Sequence, residues 1–324
     1  MTGALTGAST GAPTGLTVLV PCFNEGAQVE VAYRELTAEL AAIEDLEILF
    51  VDDGSTDDSL ARIRALAEAD PRVRYLSFTR NFGIEAVMAA GFRHAGQPWT
   101  VQCDADLQVP PSQIWRLLDG AAGGHYDVVF GRRVRRRDPL VRRLGSAGMH
   151  WAARAVFRIE MPRGASTFRL VRTPVARTIM ELRLPWFMAA VPLVGARHTL
   201  VEVSHRERDA GRSKLRLARL AGHSFELFFG FSWRPLNAVY LLAALGLVAA
   251  ALGLPGAHLL VPAVTLAAVA VVGRYVHRLA PPRPAYYVRE ANVPLRPEDT
   301  LFQGAPTPPP PLSAGRPSSA RGGR

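Results

Sequence analysis

Cysteine is scarce in this 324-residue sequence, which contains only Cys22 and Cys103. Their spacing matches no metal-binding cysteine motif, and the local sequence offers no histidine partner for a catalytic cysteine. Both thiols are therefore expected to be reduced core residues of a cytosolic domain. The sequence also lacks Gly-x-Gly-x-x-Gly and Gly-Lys-Ser/Thr, so neither a standard dinucleotide fold nor a P-loop is expected. Phosphate binding would have to depend on a metal ion and on arginines.

The first 15 residues are rich in Thr, Gly and Ala and lack the basic start and apolar core of a signal peptide. We expect residues 1–15 to be a disordered tail. Positive charge, by contrast, is abundant, and the formal net charge is +10. Such an excess favours an anionic partner, which could be nucleic acid, a membrane surface or a phosphorylated substrate. Because the arginines are not interleaved with aromatic residues as in stacking platforms, no nucleic-acid partner is expected.

Short apolar segments alternate with helical patterns along much of the chain. Apolar strands are predicted at residues 16–21, 46–51, 72–77, 100–103 and 127–130, with an alternating strand at 199–203. Between them, apolar residues recur with helical spacing, as in the helices predicted from about 27 to 43 and from 173 to about 182. This alternation predicts an α/β fold with a mostly parallel sheet and helices on both faces.

Polar residues follow several of the predicted strands at the point where each strand ends. They are Asn24, Glu25, Asp52, Asp53, Arg80, Asp104 and Asp106. In open α/β sheets, ligands bind at the carboxyl ends of the strands. The sequence therefore predicts one binding site that collects these side chains.

The segment 100–111 carries the most specific chemistry. Its strand delivers Asp104 and Asp106 into a turn and is stopped by Pro110 and Pro111. A turn lets two carboxylates that would alternate along an extended strand face one pocket. Carboxylate oxygens suit Mg²⁺ or Mn²⁺, which usually share their ligand shell with substrate phosphates. Taken alone, Asp-x-Asp is equally compatible with a solvated acidic turn.

Two basic segments lie beyond these strands. Residues 132–143 contain seven arginines, which we interpret mainly as a solvated loop with some side chains facing anionic lipid headgroups. Residues 205–214 follow the strand at 199–203 and hold four cationic side chains, one histidine and one glycine. Such a loop can clamp a diphosphate, although its cations can equally contact only lipid headgroups.

The C-terminal third contains the longest apolar stretches. Residues 224–233 are rich in phenylalanine and precede Arg234, a composition typical of an interfacial amphipathic segment. Residues 236–254 are uncharged and long enough to span a bilayer, and a second apolar run extends from 258 to about 276. We therefore predict a two-helix transmembrane hairpin, with a buried soluble hairpin as the alternative. Arginines flank the pair and none occupies its connecting turn, so both ends are predicted to be cytoplasmic.

Four motifs of the sequence resemble those of glycosyltransferase family 2. They are Val20-Pro-Cys-Phe-Asn-Glu25, Val51-Asp-Asp-Gly-Ser-Thr-Asp57, Arg80-Asn-Phe-Gly83 and Asp104-Ala-Asp-Leu-Gln-Val-Pro-Pro111. More narrowly, residues 205–214, residues 231–236, the predicted hairpin and residues 283–287 resemble the polyprenyl-phosphate glycosyltransferases of that family. The resemblance implies a GT-A type fold. It also implies an inverting transfer of a sugar from a nucleotide sugar to a polyprenyl phosphate at the cytoplasmic membrane face.

The resemblance further implies roles for individual residues. Those implied to hold the nucleotide base and ribose are Pro21, Asn24, Glu25 and Asp53. Asp104 and Asp106 would bind the nucleotide and the metal ion, Mg²⁺ or Mn²⁺. Those implied to meet donor or acceptor phosphates are Arg133, Arg169, Arg208, Ser213 and Lys214. We predict that Asp104, Asp106, Arg208 and Lys214 are catalytic, and we add Asp52, Arg80 and Gln108 to the binding residues.

Three places depart from the family pattern. An acidic residue common in relatives is missing from residues 164–167, and Met188 and Leu215 stand where relatives often carry an arginine and an aromatic residue. These positions fall on the acceptor side of the implied site. The resemblance therefore identifies neither the sugar nor the acceptor.

The sequence divides into five predicted parts. They are a tail at 1–15, a GT-A domain at 16–222, an interfacial segment at 223–235, a two-span hairpin at 236–278 and a cytoplasmic tail at 279–324 that is disordered from about 306. The expected location is the cytoplasmic (inner) membrane. Expected partners are a nucleotide-sugar donor, a polyprenyl-phosphate acceptor and membrane lipids, and a homo-oligomer is left open.

Two alternatives compete with this interpretation. One is a family 2 transferase that acts on a non-polyprenyl acceptor such as a glycolipid, and the predicted hairpin together with residues 205–214 argues against it. The other is a membrane-anchored partner subunit without catalytic activity, and the presence of both Asp104 and Asp106 argues against it.

Overall fold

A mixed β-sheet organises the chain. The computed structural model describes residues 15–133, 154–155, 162, 164–182, 187–204, 206, 234–279 and 286–300. Within these ranges the strands are β1 (Gly15–Cys22), β2 (Asp45–Asp52), β3 (Val73–Phe78), β4 (Trp99–Gln102), β5 (Val128–Arg133), β6 (Ala165–Arg172), β7 (His198–Val203) and β8 (Val288–Ala291). The helices are α1 (Gly26–Glu39), α2 (Ser59–Ala69), α3 (Ile84–His94), α4 (Gln113–Ala122), α5 (Thr173–Glu181), α6 (Phe187–Leu193), α7 (Arg234–Ala251) and α8 (Ala257–Leu279), and a 3-10 helix spans Pro297–Asp299.

The strands of the described residues form one sheet in the order β7-β5-β6-β4-β1-β2-β3-β8. The central strands β3, β2, β1 and β4 are parallel, and β5 pairs in parallel with β7. β6 and β8 run antiparallel to their neighbours. The prediction of an α/β fold with a mostly parallel sheet is therefore confirmed.

Helices cover both faces of this sheet because its central strands are apolar on both sides. Along β1, Leu16, Val18 and Val20 face the core formed with α1, α2 and α4, whereas Leu19 faces the core formed with α3, α5 and α6. All four side chains are fully buried, and burial of such a side chain stabilises the fold by roughly 1.5–3 kcal/mol. This packing on both faces fixes the position of the carboxyl ends of the central strands.

Several predicted boundaries differ from the structure. The first helix was predicted to continue to about residue 43, but α1 ends at Glu39. Leu40 and Ile43 still pack against the core from the turn that follows, so their apolar spacing was preserved without a helix. The tail was predicted to include residue 15, which instead begins β1. Neither β6 nor β8 was predicted as a strand.

The segment after α8 returns to the sheet. β8 pairs with β3, and the Asn292 side chain accepts a hydrogen bond from the Tyr75 backbone N–H at 2.7 Å and donates one to the Val73 carbonyl at 3.0 Å. The predicted domain boundary at residue 222 therefore leaves out one strand of the sheet. The reason is that β8 is only four residues long, Val-Arg-Glu-Ala, and gives no strand pattern in the sequence.

Helices α7 and α8 contact each other across the turn at residues 252–256, where Gly253 and Gly256 have φ values of 66° and 83°. The predicted pair of apolar helices joined by a turn is thus present. Judged by length and hydropathy, no helix in the described ranges meets the requirements of a membrane span. Apart from Arg234 and Pro235, the predicted interfacial segment lies outside the described residues, as do the predicted tails at 1–14 and from 301 onward.

Candidate active site

The carboxyl ends of β1, β2 and β4 open into one cavity of about 460 Å³. The α3 N-terminus and the loop before it close its other side. The lining residues are Pro21, Cys22, Phe23, Glu25, Asp53, Asn81, Gly83, Ile84, Val87, Asp104, Ala105, Asp106 and Gln108. Six of the predicted site residues are among them: Pro21, Glu25, Asp53, Asp104, Asp106 and Gln108. The expected clustering at the sheet edge is therefore present.

A tight turn after β4 presents the two carboxylates of Asp-x-Asp. The Leu107 N–H donates to the Asp104 carbonyl at 3.0 Å, and Leu107 has a φ of 47°, in the left-handed region. Ala105 and Leu107 are buried, while Asp104 and Asp106 are exposed. Gln108 bonds Asp106 twice, through its backbone N–H at 3.3 Å and through its side-chain amide. The turn thus directs both carboxylates into the cavity and holds one of them in place.

Asp52 lies behind the cavity. Its side chain is fully buried, and its carboxylate accepts hydrogen bonds from the Ser55 backbone N–H at 3.1 Å and the Ser77 hydroxyl at 2.7 Å. It is not among the lining residues. Through these contacts Asp52 supports the loop after β2. They do not show the direct binding role that was predicted for it.

Asn24 has a similar position at the rim. Its side-chain oxygen accepts a hydrogen bond from the Thr56 backbone N–H at 2.8 Å, and its own N–H donates to the Ser55 hydroxyl at 2.9 Å. Asn24 has a φ of 55°, a conformation that asparagine tolerates better than most residues. The loops after β1 and β2 are therefore bonded to each other, and Asn24 is absent from the cavity lining.

Asp53 connects the cavity to the loop at residues 79–83, which we call the β3–α3 loop. Its two oxygens accept hydrogen bonds from the backbone N–H groups of Phe82 at 2.7 Å and Gly83 at 2.9 Å. Arg80, another predicted binding residue, is exposed, and its guanidinium lies 4.1 Å from the centre of the Phe82 ring. Arg80 does not line the cavity.

Two carboxyl groups of the cavity have raised pKa values. The pKa of Glu25 is raised by burial and by the negative charges of Asp106, Asp57 and Asp104. The pKa of Asp53 is also raised, chiefly by burial, although hydrogen bonds from Phe82 and Gly83 oppose the shift. Because the charges of Asp106 and Asp104 both raise the pKa of Glu25, these three carboxyl groups lie close to one another.

This donor set fits a hard divalent cation, because carboxylate oxygens are the ligands that Mg²⁺ and Mn²⁺ prefer. Asp104 and Asp106 are the side chains available to hold such an ion. Among the described residues, no group of three or more His, Cys, Asp or Glu side chains is arranged as a metal site by protein ligands alone.

A smaller pocket adjoins Asp104. It is lined by Gln102, Asp104, Gln108, Val109, Ser166, Thr167 and Phe168. Residues 166 and 167 belong to the segment that departs from the family pattern, so that departure lies next to Asp104. Met188, another departure, packs against the core formed by α3, α5 and α6.

Arg169, which was predicted to meet phosphates, lies in the protein interior. It is 5% exposed, and its guanidinium lies 4.0 Å from the centre of the Phe187 ring. Burial lowers the pKa of Arg169 to about 10, so the side chain remains cationic near neutral pH. In this position it stands behind Asp104 rather than in the lining of either pocket.

The remaining predicted residues are not placed. Arg208, Ser213, Lys214 and the departure at Leu215 lie outside the described residues. Arg133 is the last residue of β5, and the structure describes its backbone but not its side chain.

Several lining residues were not predicted from the sequence. Phe23 and Ile84 are 44% and 51% exposed and give the cavity two apolar patches beside its carboxylates. Asn81 and Gly83 lie within the Arg80-Asn-Phe-Gly83 motif, so the motif located the loop without showing which side chains face the cavity. The available signal for Phe23 was its position directly after the apolar strand, within Pro-Cys-Phe-Asn-Glu25.

Comparison with known proteins identifies the family. The model of glycosyl transferase family 2 matches residues 17–178, which are half of the chain. The chain therefore belongs to glycosyl transferase family 2, as its four motifs indicated, and it is a glycosyltransferase. Undecaprenyl-phosphate 4-deoxy-4-formamido-L-arabinose transferase of Salmonella paratyphi A is 30% identical to it over 71% of this chain and 71% of that protein. The glycosyltransferase CsbB of Bacillus subtilis (strain 168) is 28% identical over 86% of this chain and 92% of that protein.

Solved structures also show similarity. The mannosyltransferase PcManGT from Pyrobaculum calidifontis, in complex with GDP-Man and Mn²⁺, is 20% identical and covers 84% of this chain and 88% of its own, with a TM-score of 0.47. Glucosyl-3-phosphoglycerate synthase from Mycobacterium tuberculosis, in complex with Mn²⁺, UDP and glucosyl-3-phosphoglycerate, is 17% identical and covers 67% of this chain and 78% of its own, with a TM-score of 0.44.

Proposed function

We propose that this glycosyltransferase transfers a sugar, with inversion, from a nucleotide sugar to a polyprenyl phosphate at the cytoplasmic face of a membrane. The observation that carries the proposal is the convergence of Glu25, Asp53, Asp104 and Asp106 on one cavity at the carboxyl ends of parallel strands. The Salmonella relative, by its name, acts on undecaprenyl phosphate, and this supports the choice of acceptor class.

Asp104 and Asp106 would hold a Mg²⁺ or Mn²⁺ ion together with the donor diphosphate. The ion would supply charge stabilisation to the departing nucleoside diphosphate. The place of both side chains in the cavity lining supports this assignment. The raised pKa of Glu25 also supports it, because the negative charges of Asp106 and Asp104 add to the effect of burial there. Gln108 would hold Asp106 in its orientation through the two hydrogen bonds described above.

The acceptor makes a modest demand on the protein. A phosphate monoester is already an anion near neutral pH, so the attacking oxygen needs no strong general base. Most of the rate enhancement would then come from positioning two anionic substrates and from stabilising the leaving group. The predicted contacts of the donor or acceptor phosphates remain Arg133, Arg208, Ser213 and Lys214.

Membrane attachment is the second part of the proposal, and α7 and α8 would provide it. Large apolar side chains on both helices are exposed, among them Leu241 at 62%, Leu247 at 61% and Leu266 at 73%. β7 precedes the helix pair and β8 follows it, and both strands belong to one sheet. Because α7 and α8 also contact each other across a short turn, the chain enters and leaves the pair on the same side. This supports a hairpin with both ends in the cytoplasm.

A transfer assay tests the proposal. Membranes that contain the full chain would be given undecaprenyl phosphate and a panel of nucleotide sugars with Mn²⁺, and lipid products would be identified by mass. We expect a product whose mass equals that of the polyprenyl phosphate plus one sugar residue. Transfer only to a glycolipid acceptor would refute the acceptor class, and the absence of transfer from every donor would refute catalysis.

A further inference from the structure

The segment that follows α8 contacts the β3–α3 loop of the candidate active site. We call residues 286–300 the return segment. Besides contributing β8, it contacts the β3–α3 loop, whose Asn81 and Gly83 line the cavity. The return segment itself contributes no lining residue. Its influence on the site must therefore act through the loop.

Two hydrogen bonds join the return segment to Thr79, the first residue of the loop. The Thr79 N–H donates to the Tyr287 carbonyl at 3.0 Å. The Arg289 guanidinium donates to the Thr79 carbonyl at 2.8 Å. Both backbone groups of Thr79 are thus bonded to residues that lie more than 200 positions later in the sequence. The start of the loop is fixed at the sheet edge by these two bonds.

Aromatic rings continue the contact into the loop. The Tyr287 ring lies 6.2 Å from the Phe82 ring, centre to centre, in an edge-to-face arrangement. Phe82 in turn meets Phe78 at 5.8 Å, and Phe78 stacks on Tyr286 at 4.9 Å. Aromatic pairs in edge-to-face and stacked arrangements stabilise a contact beyond the burial of their surface area. Phe82 is therefore held on the side that faces away from the cavity.

The opposite side of the loop is held by Asp53 through the N–H groups of Phe82 and Gly83. The loop thus lies between a carboxylate of the cavity and the return segment. If the contacts of the return segment are lost, Asp53 alone fixes the position of Gly83 and of the first turn of α3. If the hydrogen bonds of Asp53 are lost, the return segment alone fixes them.

We propose that Tyr287 and Arg289 are positioning residues of the donor site. By fixing Thr79 and Phe82, they hold the β3–α3 loop where Asn81 and Gly83 complete the cavity wall. The substrate class that depends on them is the nucleotide-sugar donor, a point that rests on the proposed function. The positioning itself is a property of the folded chain alone.

The return segment has further anchors, which make a clean test possible. Asn292 is bonded to the backbone of β3, and Glu290 forms an ion pair with Arg64 of α2. Neither contact involves the β3–α3 loop. Removal of the Arg289 side chain should therefore leave β8 in place. Glu290→Gln is the matched control, because it removes one charged contact of the same strand on the side of α2.

Hydrogen exchange of the full chain in detergent gives the decisive measurement, with no substrate present. Arg289→Ala and Tyr287→Ala should each speed the exchange of the Phe82 and Gly83 amides by roughly tenfold, equivalent to about 1.4 kcal/mol. Arg289→Lys, which keeps a cationic donor, should restore most of the protection, and Glu290→Gln should leave both amides as in the wild type. Wild-type exchange in Arg289→Ala, or equal loss of protection in Glu290→Gln, would overturn the proposal.

Kinetics then connects the loop to the donor. Where the transfer assay has identified a donor, Arg289→Ala should raise the KM for that donor severalfold with kcat within about twofold, since the carboxylates and the acceptor side are unchanged. A fall in kcat with an unchanged KM would refute the role in donor binding. If no donor is found while exchange at Phe82 and Gly83 responds as stated, the proposed function fails and the positioning role stands.

Discussion

Gly54 offers a sharp test of how the loops around the cavity fit together. Its φ is 69°, and a Cβ atom added there would lie 2.4 Å from the Arg80 carbonyl carbon and 2.7 Å from the Arg80 Cα. Real Cβ atoms do not approach backbone atoms so closely, so Gly54→Ala must displace the β3–α3 loop. The displacement would break the hydrogen bonds of Asp53 to Phe82 and Gly83.

The magnitude has two parts. Alanine in the left-handed region costs roughly 1–2 kcal/mol, and loss of hydrogen bonds to a charged acceptor costs about 1.5–3 kcal/mol each. We expect Gly54→Ala to destabilise the protein by about 4–8 kcal/mol, the sum of the backbone cost and of two lost hydrogen bonds. Gly124→Ala is the matched control, because Gly124 has a φ of 68° and nothing lies within 4 Å of an added Cβ. That variant should lose only the roughly 1–2 kcal/mol of the backbone term.

Thermal unfolding of the two purified variants measures the difference. At about 2–4 °C per kcal/mol for a domain of this size, Gly54→Ala should melt at least about 5 °C below Gly124→Ala. Binding of the donor found in the transfer assay should weaken in Gly54→Ala and stay unchanged in Gly124→Ala. Equal melting temperatures would show that the loop does not lie against Gly54 and would refute the reasoning.

Three further outcomes are expected. Asp106→Ala should lower transfer by roughly a hundredfold or more with little change in melting temperature, because Asp106 is exposed; full wild-type activity in excess chelator would contradict the metal assignment. Arg208→Ala and Lys214→Ala should each lose most turnover in detergent with saturating acceptor, whereas near wild-type rates would reduce residues 205–214 to a surface feature. The Arg72 side chain holds the pKa of Asp70 at about 2, below its ordinary value of 3.8, so this stabilisation is complete above about pH 5 and is lost as the pH falls toward 2. Asp70→Asn should therefore lower the free energy of unfolding by about 1–2 kcal/mol at pH 7 and by roughly half as much at pH 3. The value at pH 7 is low because the Arg72 side chain is 43% exposed. An equal loss at both pH values would disprove the linkage.

The sequence predicted the central sheet and the acidic edge of the site well. Apolar runs such as residues 46–51 are buried on both faces, and a parallel strand covered by helices on both sides has that pattern. In a parallel sheet the carboxyl ends of such strands lie at the same edge. For this reason Asp53, Asp104 and Asp106 were correctly expected to lie together.

Other features were beyond sequence reasoning because long-range packing decides them. The buried position of Arg169 depends on Phe187, which lies on a separate helix. The contacts of Asp52 with Ser77 join two strands through side chains that the motif alone does not relate. β8 has four residues with no apolar alternation, and it is a strand only because the edge of β3 receives it.

The place of β8 in the chain also sets the order in which the sheet can form. Residues 204–287 lie between β7 and β8, and at about 5–20 residues per second their synthesis takes roughly 4–17 s. Throughout that interval β3 is an open sheet edge, the kind of edge that invites pairing with other chains. Both apolar helices must leave the ribosome before Tyr287 and Arg289 exist to fix the β3–α3 loop. The donor site can therefore be completed only after α7 and α8, the most hydrophobic segment of the chain, have been synthesised.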